Sequence, residues 1–416
     1  MATPATLHVE LGLAAESGSF ILDASLLDGT DTLGGDLGYV WTDITDWVHA
    51  QASITRGSVS SSGPYMRYGG GRCSFTLDSM DGRFDPTNLT GPYVAAGVSQ
   101  LRPGVPVRIV ARTGAVDTVL FVGAADDWPI TFAGELNAIV EITASDPLET
   151  LNAADLPAVT PVGAGETAAA RVDRILDRIE WPAAQREISP LASMALQETT
   201  LAQSAWTQIL QAADSAGAYA WIDRTGRVVV RHQLGFPSAP QTVVGMTEGA
   251  IPFEGVRPQP SPLARVINTV NLGRAGSTAQ FLEDLDSIAL YGRRSWGRTD
   301  LTTANDEDVM ALASQIVGQF AGLSAWHVSL VELSLDEHAA TWSEALARDI
   351  GDRIEVRQVT PDGRTITAQG IIASVSWTWS PAVARYRVTW GLFPIPVDYV
   401  PFILDASLLD VDELAA

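Results

Sequence analysis

Gly104-Val-Pro-Val-Arg-Ile109 is echoed 247 residues later by Gly351-Asp-Arg-Ile-Glu-Val356. Behind each glycine, apolar residues fall on every second position, the period of a strand with one buried face. Gly123 and Gly370 stand at the same separation. A strand then reaches Trp128 in the first region and Trp377 in the second. An alternating strand closes each region, Ile139–Thr143 and Tyr386–Trp390. The spacing fits one β-unit used twice, and repeats decide architecture before any single element does. Chance recurrence of a common strand-turn pattern is the competing account.

Outward from the first copy, the chain from Tyr39 to about Leu151 is a run of short strands: Val40–Ile44, Ala52–Arg56, Arg72–Leu77, Val105–Ala111, Thr118–Ala124 and Ala138–Ala144. Gly, Pro, Asp and Asn separate them, as turn geometry requires. Many short strands at this spacing suggest a barrel or sandwich.

Residues 156–235 change character. Val172, Ile175, Leu176 and Ile179 lie on one face of a helix that Pro182 ends. A second helix is predicted from about Thr200, with Leu201, Ala205, Ile209, Leu210 and Ala213 inward and Gly217 as C-cap. A hairpin follows, Tyr219–Ile222 and Arg227–Arg231. Residues 236–262 hold six prolines and read as a surface linker. Arg265–Leu272 reads as a strand. Asn305 reads as the N-cap of a helix with Asp306, Glu307 and Asp308 in its first turn. Its apolar face is Val309, Leu312, Ile316, Val317 and Phe320. Strands resume at Trp326–Leu333, Arg353–Val359, Thr365–Trp379 and Ala384–Leu392.

The fold class expected is mainly β with an α+β insert. Two similar β-barrel-like domains, 38–155 and 236–394 (the latter with one helix), flank a small α+β module at 156–235. Extended arms, 1–37 and 395–416, lie at the two ends.

Phe20–Asp28 and Phe402–Asp410 are both FILDASLLD. One docking element used twice is the functional reading. Its candidate residues are Phe20, Ile21, Leu22, Leu26 and Leu27, with Phe402, Ile403, Leu404, Leu408 and Leu409. Local packing of an exposed arm, or a segmental duplication without a role, is the alternative.

The formal charge is −23, and all 26 basic residues are Arg. A basic phosphate-binding footprint is missing, so sequence-specific nucleic-acid binding is disfavoured. Acidity suits a conduit past which DNA slides; simple solubility explains it equally well. Mean hydropathy is +0.12 with 46% apolar residues, enough for large cores. No apolar run of spanning length predicts a transmembrane segment. The first sixteen residues lack a basic region and do not read as a signal peptide.

No catalytic, cofactor or metal site is expected. His8, His49, His232, His327 and His338 form no ligand-spaced pair. Cys73 reads as a small buried strand residue. Asp78, Asp81 and Asp85 crowd around a glycine but lack the ligand order of a calcium loop, so Asp-stabilised turns are expected. Asp23, Asp28, Asp31 and Asp36 form a second acidic cluster, where calcium is again not expected. The twelve Trp fall in strand patterns, as with Trp377 and Trp379, and suit core or interface packing better than a sugar platform.

A succession of phrases carries a family resemblance. It runs Trp41-Thr-Asp-Ile-Thr-Asp-Trp-Val48, Ile54-Thr-Arg-Gly57, Cys73-Ser-Phe-Thr-Leu-Asp78, Asp81-Gly-Arg-Phe-Asp-Pro-Thr-Asn88, Gly91-Pro-Tyr93, Gly104 to Ile109, Phe121-Val-Gly123 and Thr143-Ala-Ser-Asp-Pro-Leu148. Over residues 38–150 it resembles minor tail proteins of long-tailed actinobacterial phages. Beyond that span, the order β-unit, α+β insert, β-unit is similar to the central hub of phage baseplates and tail tips. The resemblance implies a non-enzymatic structural protein of the virion tail tip, made in the host cytoplasm. It implies a homotrimer whose six β-domains form a ring between a six-fold tube and a three-fold tip, with DNA passing through. The implied partners are the tail tube or distal tail protein, the tape measure protein, and other minor tail, spike or fibre proteins. A hexameric distal tail or baseplate ring protein is the alternative; a glycan-binding or hydrolytic tail protein is a third.

Overall fold

The computed structural model describes residues 5–14, 39–62, 64–95, 97–132, 138–157, 161–189, 194–259, 263–322, 327–336, 339–380 and 385–395. The first part of the chain supplies β1 (Thr6–Ala14), β2 (Tyr39–Asp43), β3 (Val48–Ser62) and β4 (Tyr65–Asp78). A small hairpin follows, β5 (Val94–Ala95) and β6 (Val98–Ser99). Then come β7 (Pro106–Thr113), β8 (Val116–Ala125), β9 (Ile130–Phe132) and β10 (Ala138–Ser145).

α1 (Leu148–Ala153) ends the first unit, and the insert holds α2 (Ala168–Arg178), β11 (Arg186–Ile188), α3 (Ala205–Ser215), β12 (Ala218–Ile222) and β13 (Val228–His232). Val172, Ile175 and Leu176 are buried as their spacing requires. α3 begins at Ala205 rather than at Thr200, because the Ser204 hydroxyl accepts the Thr207 N–H and caps the helix there. Leu201 is buried ahead of the helix instead of within it. Gly217 ends the turn with φ +62°, as expected of a C-terminal glycine.

The rest of the chain supplies β14 (Thr242–Gly245), β15 (Gly255–Gln259), β16 (Thr269–Arg274), β17 (Gln280–Glu283), α4 (Leu285–Tyr291), β18 (Ser295–Leu301), α5 (Asp306–Phe320), β19 (His327–Ser334), α6 (Ala339–Ala347), β20 (Arg353–Val359), β21 (Thr365–Ser380) and β22 (Arg385–Ile395). The proline-rich stretch 236–262 is thus not only a linker: β14 and β15 join the main sheet from within it. Asn305 occupies the N-cap position of α5, but its side chain donates to Asp308 and does not cap. The described residues of 236–394 hold three α-helices where one helix is expected, and β16, β17, β18 and α5 build a small core of their own around Val270, Leu272, Val309 and Ile316.

Fourteen strands form one sheet in the order β15-β19-β22-β21-β3-β4-β10-β8-β7-β1-β2, with β9 beside β10 and with β20 joining β21 to β14. The protein is mainly β with an α+β insert, and no barrel closes among the described strands. The sheet contains a duplication in register. Val107 lies opposite Gly123, and Ile354 lies opposite Gly370. Ala125 faces Ala144, and Ile372 faces Leu392. β7, β8 and β10 therefore match β20, β21 and β22 pair for pair. The match extends to β4 and β19, which flank β10 and β22, and to β3 and β15 beyond them. The structural counterpart of Trp377 is Ile130 and not Trp128: Ile130 faces Val140 as Trp377 faces Val388.

Candidate functional site

The halves of the duplicated sheet are welded at one seam, where β3 pairs antiparallel with β21 from Ala52 opposite Trp379 to Gly57 opposite Ser374. This is where the phrase Ile54-Thr-Arg-Gly57 acts. Ile54 faces Trp377, and both are buried. The Thr55 hydroxyl lies 3.2 Å from that of Ser376, which donates to the Ile54 carbonyl at 3.1 Å. The Arg56 guanidinium is 3% exposed and donates to Asp349 at 2.6 Å. Gly57 has φ +98°, and a Cβ there would sit 2.3 Å from the Ala373 carbonyl oxygen. Backbone meets backbone at that point, which only glycine permits.

Behind the seam lies the buried carboxyl of Asp146, from Thr143-Ala-Ser-Asp-Pro-Leu148. It accepts the Gly71 N–H at 2.6 Å and the Leu148 N–H at 3.0 Å, tying β4 to the start of α1. Burial raises this carboxyl to about 6, against the lowering pull of those two N–H groups and of Arg56.

A second junction gathers three parts of the chain on Asp214, at the end of α3. Arg67 of β4 donates to it twice, at 2.8 and 2.7 Å, and Arg298 of β18 pairs with the same carboxylate. The Tyr65 hydroxyl donates to the Asp214 carbonyl at 3.2 Å. Asp214 is 3% exposed at its side chain, so the charge is buried and fully engaged.

The groove beside the seam, about 580 Å³, runs past Gln51, Trp379, Arg385 and Arg387. Arg387 holds its carboxylates, Glu254 at 2.9 Å and Glu332 at 2.8 Å. Among the described residues no three His, Cys, Asp or Glu gather as metal ligands would, and no helix is long and apolar enough to cross a membrane.

The acidic phrase around Gly82 is a chain of turns. Asp78, Asp81, Asp85 and Asn88 each accept the backbone N–H two residues on, at 3.0, 3.1, 2.8 and 3.1 Å. They present Phe84 inward, stacked on Tyr93, with its carbonyl accepting the Trp128 indole N–H at 2.9 Å. Cys73 is buried in β4, and burial pushes its thiol up and away from reactivity. His8 bonds Asp43 at 2.7 Å at the outer edge of the sheet, and His327 is buried in β19. His338, the cluster Asp23, Asp28, Asp31 and Asp36, and both FILDASLLD copies lie outside the described residues. Sequence reading passes over β9 and β15. Three residues show no period, and β15 carries Pro258 inside a proline-rich run.

No protein-family model and no curated relative matches this sequence. Solved structures do. A tail protein from Neisseria meningitidis MC58 aligns over 94% of this chain and 96% of its own, with TM-score 0.59 at 10% identity. The 43 kDa tail protein of prophage MuSo2 from Shewanella oneidensis aligns over 93% and 98%, with TM-score 0.55 at 11% identity. The chain has the fold of these tail proteins. A chain of a lidless PdpA–VgrG complex aligns over 97% of this chain and 67% of its own, with TM-score 0.50 at 8% identity.

Proposed function

We propose that this chain is a structural component of a phage tail tip, a baseplate-hub type of minor tail protein that acts without catalysis. One observation carries the reading: a tail-protein fold spans nearly the whole of this chain and of its structural counterparts. The duplicated sheet supports it further, since two like units per chain are what a trimer needs to present six-fold pseudosymmetry. On this reading the chain divides into β-units at 38–155 and 236–394, an insert at 156–235, and arms at the two ends. Of the expected N-terminal arm 1–37, residues 6–14 are not arm but β1, paired with β2 and β7 and buried at Leu7, Val9, Leu11 and Leu13, so they belong to the first β-unit. Three copies form a ring that joins a six-fold tube to a three-fold tip and lets DNA pass. Phe20, Ile21, Leu22, Leu26 and Leu27, with Phe402, Ile403, Leu404, Leu408 and Leu409, dock the arms in equivalent grooves. The neighbours are the tail tube or distal tail protein, the tape measure protein and spike or fibre proteins. The acidic surface keeps passing DNA from sticking.

The native mass of the isolated assembly tests this. Three copies support the hub; six point to the hexameric ring protein; a lone monomer removes the ring. Clearing of host cell walls in a zymogram overturns the non-enzymatic assignment.

A further inference from the structure

Equivalent strands of the duplicated sheet have unequal neighbours. Over Trp377–Trp379, β21 is paired on both edges, with β22 on one side and β3 on the other. Its counterpart over Ile130–Phe132 is β9. There Ile130, Thr131 and Phe132 face Val140, Ile139 and Ala138, in the register in which Trp377, Thr378 and Trp379 face Val388, Arg387 and Tyr386. On the other edge of β9 no strand pairs among the described residues. Exposure records the difference: Trp379 is 2% exposed and Phe132, its counterpart, 65%.

The partner that β9 lacks exists elsewhere in the same chain. β3 covers β21, and the counterpart of β3 is β15, which ends the main sheet with only β19 beside it among the described residues. The register can be read across. Phe75 faces Ile142 as Val331 faces Trp390. Val256 faces Val331, while Ser53 faces Ser74, one step from Phe75. Val256 therefore stands where Ala52 stands in β3; beyond it β15 runs one residue short of β3, since Pro258 faces Val328 across a register shift, in the place that Thr55 holds opposite Arg72.

We propose that β15 of one copy pairs antiparallel with β9 of a second copy of this chain, repeating between subunits the β3–β21 seam inside each subunit. The inference rests on the ring reading above and supplies its subunit contact. Anchored at Val256, the seam register sets Phe132 opposite Val256; continued residue by residue along β15 it brings Thr131 opposite Arg257 and Ile130 opposite Pro258. Phe132 and Val256 then form an apolar pair on one face, the Thr131–Arg257 pair lies on the other, and the exposed Phe132 ring leaves water. Pro258 removes one backbone donor, so the contact is a short one, as the three residues of β9 require. Each copy offers one edge of each kind, so the contact is head-to-tail. It leaves neither the β9 nor the β15 edge free only when the ring closes.

Paired cysteines test the register. Opposed residues of antiparallel strands lie at disulfide distance. The full chain carrying Thr131→Cys and Arg257→Cys, treated with oxidised glutathione, is expected to run on a non-reducing denaturing gel as dimer and closed trimer, with each single variant running as monomer. Thr131→Pro, which removes a donor from β9, is expected to lower the native mass to about a third while leaving the thermal unfolding midpoint in place. A trimeric wild type with no disulfide in the double variant overturns the pairing and leaves the ring standing. A disulfide within one chain overturns it as well. A wild type that is monomeric at every concentration overturns the ring itself. If Thr131→Pro fails to fold, the cysteine pair alone decides.

Discussion

Two single residues set the terms of the seam, each for a different reason. Gly57 combines a positive φ with a backbone contact that a methyl group would invade at 2.3 Å. Gly57→Ala is expected to cost about 2–3 kcal/mol, read as a lower denaturation midpoint with an unchanged slope. Asp146 acts through its proton. Its folded-state value of about 6 lies above the ordinary 3.8, so the folded chain holds the proton more tightly than the unfolded chain. That contribution is complete below about pH 4 and is lost as pH rises through 6. Asp146→Asn cannot titrate. The stability of wild type relative to this variant should therefore fall by up to about 3 kcal/mol between pH 4 and 7, measured by urea unfolding across that range. A flat difference would show that the carboxyl is not held protonated.

At the scale of elements, equivalent positions have unequal weight. Trp379 and Phe132 hold matching places in β21 and β9, yet one is buried by β3 and the other faces outward. Trp379→Ala should destabilise by about 3–5 kcal/mol. Phe132→Ala should change the unfolding of the isolated chain by less than about 0.5 kcal/mol. Asp214 joins β4, α3 and β18 through Arg67 and Arg298. Asp214→Ala strands two arginines, one largely buried, and about 3 kcal/mol of loss is expected. Limited proteolysis should then cut between the insert and β18 before the sheet opens. Much at this scale is legible in the sequence. Strands β7, β8, β10, β20, β21 and β22 and the faces of α2 and α5 follow from periodicity, because a buried face demands an apolar residue at each turn or every second position. The start of α3 is not, because a buried Leu201 ahead of the cap resembles one more helical position. β9 and β15 are not, because a three-residue strand and a proline-bearing edge leave no period to read.

At the scale of the whole molecule, the repeated FILDASLLD bears on assembly. If the arms dock the ring into the tail, replacing Phe402, Leu404 and Leu408 by Asp should leave the isolated chain's unfolding unchanged and deplete intact tail tips in electron micrographs. Intact tips in every variant would count against docking.

The sequence by itself marked the matched glycines and alternating strands of two β-units, because a buried face demands an apolar residue at every second position; the strand register showed that the spacing match is a true duplication. The sequence also determined the acidic, lysine-free charge, which needs no fold to be counted. Only the tertiary structure decided that the units are one sheet joined through β3 and β21, that Ile130 rather than Trp128 is the counterpart of Trp377, and that Asp214 draws three parts of the chain together. The physical reason is that strand neighbours, register and ion pairs across 84 to 322 residues are set by which edges and charges find one another in space, and side-chain periodicity along the chain carries no record of that choice.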